Sequence, residues 1–161
     1  MIRLAIDLGS SVTKIYKIGS GIVLAEASCL AVASGTKTVK AIGEEAKQLI
    51  GKTAEFTTIV FPVFEADIVN EEMAATMLRY FLQKIEIGKS QARRAEVVFN
   101  VPCGAQDALL DKYYRLAEAC SLGTVDFVET PFLSAFGLNL TLNESSPVFV
   151  VDIGGGNTNI A

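Results

Sequence analysis

An apolar run over residues 2–8 stops at Gly9 and predicts a buried strand. Residues 12–18 then alternate, with Val12, Lys14 and Tyr16 against Thr13, Ile15 and Lys17, which predicts a second strand. Gly19-Ser20-Gly21 is a turn signal and residues 22–27 a third strand, so the chain opens as an antiparallel meander. Residues 30–34 and 38–42 read as a smaller hairpin around Gly35, and residues 44–50 as a short helix closed by Gly51. Residues 57–69 are extended, limited by Pro62 to an edge or irregular strand.

The second half reads as alternating helices and strands. Asn70 caps a long helix, Glu71 and Glu72 complement the positive end of its dipole, and Gly88 sits just past the last turn. Met73, Met77, Phe81 and Ile85 recur at every fourth residue as its buried stripe, a core pattern and not a ligand box. Residues 96–101 form another buried strand, stopped by Pro102. Residues 107–120 form a helix with Leu109, Tyr113, Leu116 and Cys120 on one face, ended near Gly123. A short strand over 125–128 leads to a helix opened by Thr130-Pro131 and running to about Leu138. A very apolar strand over 147–153 then enters Gly154-Gly155-Gly156. This order implies parallel crossovers, and the whole is α/β, a mixed sheet whose first strands are antiparallel and whose later ones are parallel.

Composition narrows the chemistry. The 161 residues are 50% hydrophobic and 20% charged, enough apolar surface for a real core. Lys plus Arg is 14 and Asp plus Glu is 18, a net charge of −4, which argues against a broad nucleic-acid surface. The absence of His excludes Ser-His-Asp triads, Cys-His pairs and His-ligated metals. Cys29, Cys103 and Cys120 are far apart with no CxxC, and read as reduced, mostly buried thiols of a cytosolic protein. The N-terminus lacks a signal-peptide pattern, and no apolar run reaches the ~18 residues that span a bilayer.

Two segments carry chemistry. Residues 7–14 (Asp-Leu-Gly-Ser-Ser-Val-Thr-Lys) and 152–159 (Asp-Ile-Gly-Gly-Gly-Asn-Thr-Asn) share one layout: a carboxylate at a strand end, then glycine and small polar residues. The exposed N–H groups of such a turn make an anion-binding nest. The aspartate cannot meet a phosphate directly, but it can hold the hydration shell of a Mg²⁺ ion that does. Lys14 is placed to add a point charge to the same phosphates. Neither segment is a Walker A loop or a GxGxxG turn opening a helix.

The pair resembles the two phosphate hairpins of the superfamily of actins, sugar kinases and heat-shock chaperones. Within it the sequence is similar to the MreB-type bacterial actins, the rod shape-determining filament proteins. The similarity rests on residues 41–47 (Ala-Ile-Gly-Glu-Glu-Ala-Lys) with Gly51-Lys52-Thr53, then 77–81 (Met-Leu-Arg-Tyr-Phe), 101–104 (Val-Pro-Cys-Gly) and 150–156 (Val-Val-Asp-Ile-Gly-Gly-Gly). It covers the chain in order and only the first half of such a protein. The fold it implies is an actin-like (ribonuclease H-like) ATPase first lobe. Residues 1–29 and 70–146 would form subdomain IA on a mixed five-stranded sheet, and 30–69 a small inserted α+β subdomain IB. Residues 147–161 would begin a truncated second lobe. The adenosine-binding glycines would follow Ala161, so an N-terminal fragment is expected, with strand 148–153 lacking a sheet partner.

Residue by residue, the resemblance implies ATP bound with Mg²⁺, which would need the second lobe. Asp7 and Asp152 would hold the metal through water. Gly9, Ser10, Ser11, Thr13 and Lys14 would form the first phosphate loop, and Gly154, Gly155, Gly156 and Asn157 the second. Lys14 matches the phosphate-contacting lysine of eukaryotic actin, where MreB proteins usually carry an apolar residue. The family's loop threonine after the glycines is Asn157 here. Its water-positioning glutamate precedes the helix-starting proline; that catalytic position is Thr130 here, with Glu129 one residue earlier as the substitute carboxylate. Thr130 can cap the helix but is a poor substitute for a carboxylate that orients water. Hydrolysis is therefore expected to be slow or lost, by a factor on the order of 10²–10⁴.

The function implied is a nucleotide-binding cytoskeletal protein that polymerises head to tail with itself, for cell shape or scaffolding. It would work in the cytoplasm, at the inner face of the membrane, with membrane-associated morphogenesis proteins as further partners and no nucleic acid. The loop over residues 88–94 has no large apolar residue, and Lys89, Arg93 and Arg94 read as a solvated surface. An alternative is an ATP-binding assembly adaptor of the cell-division or type IV pilus kind, whose first loop the stretch from Ser10 to Lys14 resembles more. Against it, residues 43–53 follow MreB spacing. A third reading is an ATPase of the chaperone or sugar-kinase branch.

Overall fold

The structure, a computed structural model, describes residues 1–52, 56–140 and 148–161. Thr53 and Pro147, both used in the sequence reading, lie outside the described residues. The opening meander is β1 (Arg3–Leu8), β2 (Val12–Lys17) and β3 (Gly21–Ala27). An inserted unit follows: β4 (Leu30–Ala33), β5 (Val39–Ile42), α1 (Glu44–Lys47), β6 (Thr57–Val60), β7 (Val63–Phe64) and β8 (Asp67–Ile68). The chain continues through α2 (Glu71–Lys84), α3 (Lys89–Ala92), β9 (Glu96–Val101), α4 (Asp107–Ala119), β10 (Thr124–Glu129) and α5 (Thr130–Gly137). It closes on β11 (Val151–Ile153) and β12 (Thr158–Ile160).

The main sheet has five strands in the order β10-β9-β1-β2-β3, antiparallel among β1, β2 and β3 and parallel from β1 through β9 to β10. This is the mixed sheet that the pattern predicts. Period-two alternation sends Leu4, Ile6 and Leu8 of β1, and Val97, Phe99 and Val101 of β9, into one core with Met73, Met77, Leu78 and Phe81 of α2 and Leu116 of α4. The opposite face, with Ala5, Asp7, Lys14 and Tyr16, stays partly or fully open. A second sheet, β5-β4-β6, has three strands and packs Ala31 with Ala46 of α1 in a small cluster of its own.

Several local expectations need correction. Residues 57–69 are not one extended strand: β6 joins the 30–42 hairpin as its third strand, and β7 and β8 form a separate tight hairpin. Its turn residues, Glu65 and Ala66, take φ of 48° and 62°, conformations that neither side chain advertises. Helix α2 stops before Gly88, because Glu86 adopts the left-handed φ of 61°; Ile85 is the cap and Ile87 takes the buried place. Ser121, at φ 55°, stops α4 ahead of Gly123. Residues 89–92, read as loop, form the single helical turn α3. The last strand is not unpartnered: β11 pairs antiparallel with β12. Among the described residues no helix is long and apolar enough to cross a membrane.

Candidate functional site

Both singled-out segments fold as strand–turn–strand, and both line one cleft of about 760 Å³. Asp7 stands near the end of β1 and is the ladder partner of Lys14 on β2. A Cβ on Gly9 would lie 2.7 Å from the Val12 carbonyl oxygen, so only glycine lets this turn close. In the second hairpin Asp152 pairs with Asn159, and the Gly154 N–H donates to the Asn157 carbonyl at 2.9 Å.

The two turns abut. A Cβ on Gly155 would land on the Ser11 side chain, and one on Gly156 would lie 2.7 Å from Ser10 Oγ and 3.2 Å from the backbone nitrogen of Glu65. The glycines permit this approach between separate elements. A further tie joins the second hairpin to the main sheet: the Cys103 N–H donates to Asn159 Oδ1 at 3.4 Å.

Asp7 is the electrostatic centre. Burial pushes its carboxyl above the usual carboxylate range, Lys14 and the Asn100 amide pull it down, and the Asp152 charge pushes it up again. Asn100 Nδ2 donates to Asp7 Oδ1 at 2.9 Å, while Lys14 Nζ stands 3.8 Å from Oδ2, beyond direct hydrogen-bond reach. Two carboxylates on facing turns, one of them with a loosely placed ammonium beside it, are suited to a divalent cation.

Of the sequence-predicted residues, Asp7, Gly9, Ser10, Ser11, Lys14, Thr130, Asp152, Gly154, Gly155 and Asn157 line the cleft. Gly156 lies just behind, against Ser10. Thr13 does not join them: its place in the β2 alternation faces the core, where it is fully buried and its hydroxyl shares a 2.8 Å hydrogen bond with Ser28. Glu129 does not line the cleft either; its Oε1 accepts from the Gly104 N–H at 3.2 Å. Thr130 does not cap α5, whose N-cap is Glu129 without a side-chain bond; the Thr130 hydroxyl donates to the Val101 carbonyl at 2.9 Å.

The sequence reading missed Asn100. Its signal is a lone amide in an otherwise apolar strand, Glu-Val-Val-Phe-Asn-Val over residues 96–101, on the face opposite Phe99. Tyr113, read as core, packs 5.3 Å from the Phe99 ring and also reaches the cleft wall. Burial and the nearby Asp7 raise its phenol well above the ordinary tyrosine range.

The sequence matches the family profile described as MreB/Mbl protein over residues 1–161. The cell shape-determining protein MreB of Escherichia coli strain K12 is 33% identical over 162 residues, covering 98% of this chain and 47% of that protein. MreB5 of Spiroplasma citri bound to AMPPNP superposes with a TM-score of 0.91 at 24% identity, over 99% of this chain and 48% of that one. The MamK double helical filament gives 0.77 at 23%, over 98% and 49%. The chain spans about half the length of the curated relatives it matches.

Proposed function

From the premise that this chain belongs to the MreB/Mbl family and has the actin-like fold, we propose that it forms the first lobe of a nucleotide-binding cytoskeletal protein. The observation that carries this reading is the meeting of two carboxylate-led glycine turns in one cleft. The solved MreB5 relative holds AMPPNP and the MamK relative is a filament, which supports a nucleoside triphosphate as ligand and self-association as outcome. In this reading residues 1–29 and 70–146 form the scaffold, 30–69 the inserted subdomain and 147–161 the start of a second lobe. The assembly is a head-to-tail polymer of copies, open-ended because a heterologous contact need not close. It works in the cytoplasm.

Backbone N–H groups of Gly9, Ser10 and Ser11 would meet the phosphates from one side, and those of Gly155, Gly156 and Asn157 from the other, while the Gly154 N–H closes the second turn on the Asn157 carbonyl. Lys14 adds a charge at the cleft floor. Asp7 and Asp152 would hold Mg²⁺ through water, and the metal would supply positive charge to offset that of the phosphates. Thr13 supports β2 from the core side. Among the described residues Thr130 is committed to the Val101 carbonyl and Glu129 to the Gly104 N–H, which supports a slow hydrolysis.

The test is titration of the full-length gene product with ATP, with and without Mg²⁺, for wild type and Asp7→Ala. Asp7→Ala is expected to weaken Mg²⁺-dependent binding at least about tenfold, the scale of a lost charged contact. Equal affinity in the two proteins overturns the metal role. Filaments with ATP in electron micrographs support the cytoskeletal reading; tight ATP binding without any polymer favours the assembly-adaptor reading, which the lysine at position 14 also fits.

A further inference from the structure

Asn100, Asp7 and Lys14 lie side by side on β9, β1 and β2, forming a polar row on the open face of the sheet at the floor of the cleft. Asp7 and Lys14 are direct ladder partners, at a spacing where opposite charges ordinarily close into a contact pair. They have not closed: Lys14 Nζ is 3.8 Å from Oδ2, whereas the Asn100 amide holds Oδ1 at 2.9 Å. The carboxylate is thus pinned from the β9 side.

We propose that Asn100 is a positioning residue of this site, whose amide holds Asp7 off Lys14 and keeps the carboxylate free for a divalent cation and the ammonium free for phosphate. This deepens the nucleotide reading and rests on it. Without the amide, Asp7 is drawn across to Lys14. A closed pair would cost the site both of its charges, because neither partner could then serve the ligand. Asn100 touches neither ligand itself; it acts through Asp7. Asp152 is the other carboxylate in the cleft lining.

The experiment compares wild type, Asn100→Leu and Asn100→Gln in the full-length gene product. Leucine fills the space without a donor; glutamine keeps an amide donor on a side chain long enough to reach Asp7. The readout is the ratio of ATP affinity with Mg²⁺ to that in chelator. Asn100→Leu is expected to shrink this ratio about tenfold, as removal of a hydrogen bond to a charged group does, and Asn100→Gln to retain most of it. A fall in melting temperature with an unchanged ratio means a merely structural amide and overturns the proposal. A second measurement is independent of nucleotide: acylation of lysines, read by mass spectrometry on the free protein. Lys14 is expected to label more slowly in Asn100→Leu, while exposed Lys37 and Lys52 keep their rates. Unchanged Lys14 labelling overturns the proposal. If wild type binds no ATP the nucleotide reading fails, and the labelling alone then decides the role of Asn100.

Discussion

At the scale of single residues, the site depends on what is missing from side chains as much as on what they carry. Gly155 sits where a Cβ would enter the Ser11 side chain, so Gly155→Ala must push the two turns apart. The expected cost is about 1–3 kcal/mol of stability, the usual range for overpacking, read as a lower denaturant midpoint. Adding Ser11→Gly removes the obstructing atoms and should recover part of the loss. Failure to recover would mean that the turns do not meet as described. The two aspartates and the glycines were legible in the sequence because each motif carries its own local signal. Asn100 was not, because its meaning depends on a strand far away in the chain that brings Asp7 beside it. Thr13, expected in the first phosphate loop from the motif, lies in the core, where its own alternation with Lys14 already pointed it.

At the scale of elements, Glu26 near the end of β3 joins three pieces of the fold. Its Oε2 accepts from the Glu44 N–H at the start of α1 at 2.8 Å, and its Oε1 accepts from Lys84 at the end of α2 at 2.5 Å. Burial acts to raise the Glu26 carboxyl, but the Lys84 and Glu44 hydrogen bonds outweigh it and hold it below its ordinary 4.5. A depressed acid stabilises the folded state fully above its unfolded value, so this contribution is present above about pH 4.5 and is lost as pH falls through the folded value. Glu26→Gln should therefore cost about 1–2 kcal/mol at neutral pH and flatten the acid limb of the stability curve, measured by urea unfolding across that range. Wild type and variant with parallel acid limbs would count against the interlock. Element types were largely readable, because periodicity is local. Element ends were less so: Glu86 and Ser121 take left-handed conformations that glycine was expected to supply, and the β7–β8 turn does the same with Glu65 and Ala66. Tertiary packing imposes those conformations, and no residue type announces them.

At the scale of the molecule, one core holds the main sheet and its two long helices together, and the thiols sample it from inside and outside. Cys29 and Cys120 are buried and Cys103 is exposed. Burial pushes the Cys120 thiol up to about 11 and raises Cys29, while a hydrogen bond to Glu129 raises Cys103. A thiol reagent should therefore modify one cysteine in the native state, faster as pH rises, and all three in denaturant. Rapid native labelling of Cys120 would contradict the core. The overall α/β plan was legible because apolar runs, turns and caps agreed with one another; the pairing of β11 with β12 was missed because the apolar strand was weighed without its short polar return. The ladder that seats Asp7 against Lys14 also alternates Leu4, Ile6 and Leu8 into the core. Sliding β1 by a single residue would bring the leucines to water and the aspartate inside. Proofreading of the fold is thereby proofreading of the cleft: a nascent chain that threads its first hairpin wrongly forfeits both at once.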